Sequence, residues 1–592
     1  MAILKDDTSY THVIAIDFGT GASGYGIAPQ LVETGQKPRI EVFNPCDDLD
    51  DQKTSTAILF DDEGNFLAFG THALQRYAEI LDDEETALLF QSYKMHLLHM
   101  DDNAISLDGR ELSLMKVISE SLRYISEKAM EKLTEQIGKV INSKIRWVLT
   151  VPALWGEEHK QFMRKAAMNA NIIDTLSSPN LLLSLEPEGA SIQCREDSEE
   201  NIRNSLGKNK IVMVLDCGGG TVDITVHKLM WEPTESFLCE EYLPSSGGCE
   251  WGSKYVDVHF EKFLEEFFGE DLYSLYLKNA LGRLEILKHF EMLKRKFNPG
   301  KDERSRLQLS YLGEDLSSGQ LKELIDDWNS RNSSTDASKG NPYAGVQLKK
   351  RGASGVDLPP QLMKSFFEPL FEKIVEKVQQ LTEDAINTKG AAIDFIFMVG
   401  GFSESPYLKS VIKDQFEKED LHVLVPRRPQ VSVIRGACMF GLNPRSITSR
   451  ISKKTYGINT LTTFDPEKHP EEKKVIIEGE EFWEDVFDAF VKKNQSVGID
   501  EVHVKTYCPV RARQTVMRII FYWTNEEEVL FIDDDHVEQL GELSIDIGRP
   551  FQSVEDKTVK VTLVFGATNI NATATNFEGT ELRNCEFKFE SS

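Results

Sequence analysis

The chain has 592 residues, too many for one hydrophobic core, so three or four domain-sized units are expected. Its composition, 40% hydrophobic and 28% charged, is ordinary for a soluble globular protein. A formal charge of −29 argues against nucleic acid or an anionic membrane as a general partner.

The eight cysteines are scattered and form no CxxC pair. In so long a chain they read as reduced thiols, with no zinc site or disulfide framework, and a cytoplasmic or nuclear location is expected. The opening MAILKDDTSY has no apolar signal core, and no run approaches a membrane span.

The first element is VIAIDFGTGASGYGIA, Val13 to Ala28. An apolar strand ends in Asp17, and Gly19, Thr20 and Gly21 lead into a second strand-like run. Further strands are expected at Arg39 to Phe43 and Thr56 to Phe60, with DDEGN as a tight hairpin loop. From Glu111 the apolar series Leu114, Ile118, Leu122, Ile125, Ala129, Leu133 and Ile137 predicts a long helix. IRWVLTVPALW is a strand that Pro152 ends, and a helix begins near Glu157. LLLSLEPEGASIQC then puts Glu186 just after an apolar strand.

The segment IVMVLDCGGGTVDITVHKL, Ile211 to Leu229, repeats the first pattern. An apolar strand ends in Asp216, and Cys217, Gly218, Gly219, Gly220 and Thr221 follow. Then Val222, Ile224 and Val226 alternate with Asp223, Thr225 and His227, which predicts a strand with the second set facing outward. Each turn therefore joins strand to strand, unlike the Rossmann and P-loop turns, which run into a helix. A glycine turn lets backbone N–H groups approach an anion with no Cβ in the way. Asp216 and Asp223 flank the second turn, where they could hold hydrated magnesium and a water. A glycine-rich hairpin with solvated aspartates is the plainer alternative for one copy; two copies suggest a duplicated fold with facing phosphate turns. Cys217 reads as a small buried hydrophobe rather than a nucleophile.

Residues 326 to 356 are polar and rich in Gly, Ser and Asn, as in a mobile insertion. IDFIFMVGGFSESPYLKSVI gives a strand, Gly400 and Gly401, and a helix capped by Ser405 with Pro406 at its first position. The free N–H groups of such a start favour phosphate or ribose. Residues 443 to 453 are polar and basic, a linker by composition. From Tyr456 onward short strands and turns predict a β-sandwich.

The order IDFGTG, LTVPALWGEEHKQFMRKAAMNA, SLEPEGA, LDCGGGTVDITV resembles the ATPase domain of the 70 kDa heat-shock (DnaK-type) chaperones. The looser motifs, and KTYG after the linker, make the whole chain most similar to that family's divergent heat shock 70 kDa protein 12 type. The resemblance implies an α/β fold: a duplicated, actin-like (ribonuclease H-like) ATPase domain in two lobes, followed by a small β-sandwich domain. It places lobe I at 1–205, lobe II at 206–442 with closing helices returning to lobe I, the linker at 443–453 and the β-domain at 454–592. No helical lid is expected after the last strand.

The resemblance also implies ATP or ADP with Mg2+ as the ligand. Asp17 and Asp216 would hold magnesium, and Gly19, Thr20, Gly21, Gly218, Gly219 and Gly220 the phosphates. Thr221, Asp223 and Glu186 would orient the hydrolytic water. SGGCEWGSKYVDVHF adds Gly247 and Gly248 as ligand contacts, and VGGFSESP adds Gly400, Gly401 and Phe402. Glu291, Lys294 and Arg295 match the family's adenosine contact and share a helix face. Three departures stand out. Glu404 replaces an arginine, Gln430 an aspartate, and Leu74 a cleft lysine for which Arg76 or Lys94 are the candidate replacements. Loss of that cation would cost on the order of 3 kcal/mol in the barrier, so binding is expected with slow turnover.

The expected function is an ATP-binding, slowly hydrolysing, chaperone-like protein whose partners are unfolded peptide, a protein client or co-chaperones. A nucleotide-gated interaction module is the alternative, and a sugar or metabolite kinase a third reading. Because 443–453 lacks the family's leucine-rich docking strand, ATP and ADP are expected to change peptide release by less than about tenfold.

Overall fold

The computed structural model describes residues 10–30, 39–46, 51–82, 85–197, 205–230, 238–301, 305–333, 341–467, 469–499, 501–511, 513–548, 557–565, 570–576 and 582–585. The architecture is mixed α/β. Two central sheets share one plan. In the first, the hairpin His12–Phe18/Ala22–Pro29 is antiparallel, and Ile145–Val151 and then Leu181–Leu185 add in parallel beside His12–Phe18. In the second, the hairpin Ile211–Cys217/Val222–Leu229 is antiparallel, and Phe395–Val399 and His422–Leu424 add in parallel. Each aspartate that ends an apolar run therefore stands at the C-terminal end of a central strand. Side chains at such a position leave the sheet and enter the crevice beside it.

The apolar periodicities account for the helices that cover these sheets. The predicted long helix is Leu114–Ile137, and Leu114, Ile118, Leu122, Ile125, Ala129 and Leu133 are buried in the first core. Ile137 ends the series and is exposed. The helix predicted near Glu157 is Glu157–Asn169. DDEGN joins the antiparallel strands Ala57–Phe60 and Phe66–Phe69 as expected. Ser405 caps Pro406–Phe416, its hydroxyl accepting from the Leu408 N–H at 3.4 Å.

Several expectations fail, each for a tertiary reason. Thr225 and His227 are buried rather than outward, because Val222–Leu229 has a strand on each side and helix Glu186–Asp197 against it. Part of 326–356 is core: Trp328, Tyr343, Val346 and Leu348 are buried, and the Trp328 indole donates to the Val346 carbonyl at 3.2 Å. Residues 334–340 of that stretch lie outside the described residues. The stretch expected to be a free polar linker contains a strand, Ile447–Ile451, which pairs with Cys239–Gly248 and extends the second sheet. Ser496–Gly498, from the C-terminal part of the chain, then pairs with it as the seventh strand.

Composition hid that strand because its polar groups find partners only in the fold. Arg450 makes a two-pronged contact with Glu188, Nε to Oε1 at 2.6 Å and Nη2 to Oε2 at 2.7 Å. The Ile451 N–H donates to Glu241 at 2.7 Å, and Lys453 Nζ to the Ala153 carbonyl at 2.5 Å. Beyond it, a five-stranded and a four-stranded sheet share one apolar core that includes Ile458, Phe521, Ile545, Val561 and Ala574.

Helix Glu186–Asp197 is seated by glycine. It crosses Ser432–Leu442 at Gly189 and Gly436, where a Cβ on Gly436 would fall 1.6 Å from the Gly189 carbonyl oxygen. Gly436→Ala must push the two helices apart. It should cost about 1–3 kcal/mol by overpacking, read as a lowered melting temperature. An unchanged melting temperature would contradict this packing.

Candidate functional site

The two glycine turns face each other. A Cβ on Gly219 would lie 3.1 Å from the Gly21 nitrogen, and one on Gly220 would lie 2.7 Å from the Thr20 hydroxyl. The second turn is fixed from behind. The N–H groups of Gly252, Ser253 and Lys254 donate to the carbonyls of Gly220, Gly218 and Gly219 at 3.1, 3.1 and 2.9 Å. Gly218 N–H closes the turn on the Thr221 carbonyl at 3.0 Å.

Four carboxylates converge here. Asp17 and Asp216 end their strands, Asp223 opens the strand after the second turn, and Glu186 begins its helix. Asp17 Oδ1 accepts from the Thr150 hydroxyl at 2.9 Å, and its Oδ2 meets Lys53 Nζ at 2.5 Å. Asp223 Oδ1 accepts the Leu154 N–H at 3.0 Å, a bond from the chain just after Ile145–Val151 of the first sheet to the second sheet. Glu186 Oε1 accepts from Lys94 Nζ at 3.0 Å, and Lys94 lies over the Trp155 ring at 4.9 Å. Asp216 Oδ2 is buried and has no hydrogen-bond partner among the described residues.

Burial pushes the Glu186 carboxyl up to about 7; Lys94 pulls against that shift, while Asp17 and Asp223 add to it. Burial likewise raises Asp216 well above the usual carboxylate range, with Glu186, Asp223 and Asp17 adding to it and Lys53 opposing. Asp223 is also raised, by burial first. A cation beside the orphaned oxygen of Asp216 would relieve these raised carboxyls.

The other sequence candidates divide. Gly400 backs the site, since a Cβ there would strike Asp216 Oδ1, while Gly401 has open space around it. The Phe402 ring is buried among Phe367, Phe371 and the rest of the second core, so only its backbone is available to a ligand. Gly247 and Gly248 pair with Asp223 and Val222, and Gly248 lies under the Trp251 ring; packing alone explains both. Lys294 is buried and bound to Asp257 at 2.7 Å, Glu291 at 2.5 Å and the Ser253 carbonyl at 3.2 Å. Burial would raise Glu291, but Lys294 and Lys254 hold it down at about 2. Arg295 is the exposed member of this group, bound to Glu291 at 2.8 Å. Burial raises the Cys217 thiol far above its usual range, as a packing role requires.

Sequence reasoning missed Lys53 and Thr150, and left Lys94 as one of two options. Arg76 is exposed and donates to the Leu67 carbonyl at 3.3 Å, away from the site. Leu74 packs in a small apolar cluster with Ala73 and Tyr77.

The strain makes a stability prediction. Above its ordinary value of 3.8, Asp216 stays protonated in the folded chain while it ionises in the unfolded one. As pH rises toward the raised folded value, stability is lost. Asp216→Asn removes that loss. The metal-free variant should melt about 2 °C or more above wild type near neutral pH, and the gap should shrink at about pH 5. A variant that melts lower at both would contradict the account.

No protein-family model matches the chain. Pairwise comparison does find relatives. The chain is 30% identical to heat shock 70 kDa protein 12A of Homo sapiens, over 96% of this chain and 90% of that protein. Heat shock 70 kDa protein 12B of Homo sapiens is 29% identical, over 96% and 89%. The chaperone protein DnaK of Ureaplasma urealyticum is 23% identical, over 60% of this chain and 50% of that protein. With the motif order and the repeated sheet plan, this near full-length similarity identifies the chain as a member of the heat shock 70 kDa protein family, of its divergent heat shock 70 kDa protein 12 type.

Proposed function

We propose that the chain binds ATP with magnesium, hydrolyses it slowly and uses a C-terminal β-sandwich to hold extended peptide or a protein client. The observation that carries this reading is the meeting of Asp17, Asp216, Asp223, Glu186 and Lys94 at two opposed glycine turns. The two similar sheets read as duplicated actin-like lobes, 1–205 and 206–442. In support, the closing helix Ser432–Leu442 returns to the first sheet, where the Gly441 carbonyl accepts from Arg146 at 2.8 Å. Residues 454–592 read as the β-sandwich domain.

In this scheme Asp17 and Asp216 hold hydrated magnesium, and Gly19–Gly21 with Gly218–Gly220 offer N–H groups to the phosphates, Thr20 beside them. Bound magnesium supplies the charge that neutralises those phosphates. Thr221 and Asp223 orient the attacking water, and Glu186 accepts its proton. Gly400 keeps room beside Asp216, while the Glu291, Lys294 and Arg295 helix and the backbone of Gly401 and Phe402 border the nucleoside. Lys94 replaces the cation expected at Leu74. It is also committed to Glu186, so each group must loosen the other to serve phosphate or water, and slow turnover follows from that.

A nucleotide-gated interaction module with little turnover is the second reading, and strand Ile447–Ile451 favours it. Arg450 grips Glu188, two residues from Glu186, and Lys453 grips Ala153, next to the Leu154 N–H that holds Asp223. The expectation that this segment has no means of docking is therefore withdrawn. ATP turnover measured with and without unfolded peptide separates the two readings: stimulation supports the chaperone, and indifference supports the module.

Two sets of variants test the site. Glu186→Gln keeps an oxygen for Lys94 but no base, so turnover should fall about a hundredfold or more while ADP affinity holds within about threefold. Asp17→Asn and Gly219→Val should abolish magnesium-dependent ATP binding with the fold retained. The first removes half of the ion site, and the second puts a side chain into the gap at Gly21. Undiminished ATP affinity in both, by calorimetry, would sink the assignment of the cleft.

A further inference from the structure

Lys53 lies outside both glycine turns and outside every motif noted in the sequence, yet its ammonium group meets Asp17. Its position is built. The short strand Thr54–Ser55 pairs with Ser23 and Ala22, at the exit of the first turn. The Thr56 N–H donates to the Gly21 carbonyl at 3.1 Å, and the Thr56 hydroxyl to the Gly19 carbonyl at 2.7 Å. The backbone carrying Lys53 is thus fastened to the turn itself. Its stem packs where a Cβ on Gly24 would lie 3.0 Å from Lys53 Cγ, and its side chain is only 16% exposed.

The pairing makes the two acidic strand ends unequal. Both oxygens of Asp17 are engaged, by Thr150 and Lys53, whereas Asp216 keeps an orphaned oxygen. A divalent ion drawn to Asp216 must share Asp17 with an ammonium group. That ammonium group is itself a positive charge beside the glycine turn.

We infer that Lys53 is a built-in counter-cation for the phosphates, which lowers the dependence of nucleotide binding on magnesium and competes with magnesium for Asp17. The inference rests on the nucleotide reading above. It has two consequences of opposite sign. Without magnesium, Lys53 strengthens nucleotide binding; with nucleotide bound, it weakens magnesium.

Calorimetric titration of ADP into the full chain, in excess magnesium and in EDTA, tests this with wild type, Lys53→Met and Lys53→Arg. Chelation should weaken wild-type binding by less than about tenfold, and should weaken the Met variant by at least about tenfold more, the usual range for a lost bond to a charged group. The Arg variant should follow wild type. A magnesium titration at saturating ADP should reach its midpoint at lower magnesium in the Met variant. Equal losses in both buffers with an unchanged magnesium midpoint would overturn the inference and leave nucleotide binding standing. So would a wild-type loss on chelation above about a hundredfold, which needs no variant. If wild type binds ADP in neither buffer, the nucleotide reading and this inference fall together.

Discussion

Four carboxylates confined to one buried crevice repel one another, and the structure around them is arranged to contain that repulsion. Asp17, Glu186, Asp216 and Asp223 come from four different elements, so no local rearrangement can separate them. Two lysines offset part of the charge. Lys53 pairs with Asp17 and Lys94 with Glu186, leaving Asp216 with an open oxygen and Asp223 held by an N–H group from across the crevice. Burial raises the carboxyls of Glu186, Asp216 and Asp223 above their ordinary range, and this cost is what a divalent cation would relieve. The site is thus defined as much by its unmet charge as by its glycine turns.

The same economy of charge appears one layer out. Glu188 is buried against the half-buried Arg450, and burying a carboxylate is tolerable only with its two-pronged guanidinium partner. That pair ties strand Ile447–Ile451 of the second sheet to the helix that begins at Glu186. Ser496–Gly498 sits on the far side of the same strand, so the sheet that carries Asp216 continues into chain that belongs to the C-terminal β-region. Gly189 and Gly436 let that helix lie close against Ser432–Leu442.

Much of this was legible in the sequence, and the limits have a physical pattern. Local signals held: glycine turns after apolar runs located both hairpins, and the 3.6-residue period located Leu114–Ile137. Pairing across the fold did not show. Lys94 follows the strand Leu88–Gln91, far in sequence from Glu186, and nothing near it marks a cleft residue. Lys53 stands in the polar run DDQKTS, which reads as surface until Thr54–Ser55 is seen paired to the first turn. Strand Ile447–Ile451 looked like a linker because only its end isoleucines are apolar; in its middle the Thr448 hydroxyl donates to the Cys239 carbonyl and Arg450 to Glu188. Thr225 and His227 misled for the opposite reason, since alternation implies a solvated face only when nothing packs on it. Family motifs supplied residue types at the turns but not how closely each glycine is packed, as Gly247 against Val222 and Gly248 against Trp251 show.

The central claim is that Asp17 and Asp216 flank one cation-and-phosphate site between the two glycine turns. Crystals grown with manganese and ADP would test it most directly, because manganese substitutes for magnesium and marks itself by anomalous scattering. The account predicts one anomalous peak between Asp17 and Asp216, with diphosphate density against the backbone of Gly19–Gly21 and Gly218–Gly220. A peak elsewhere, or nucleotide density away from both turns, would contradict it.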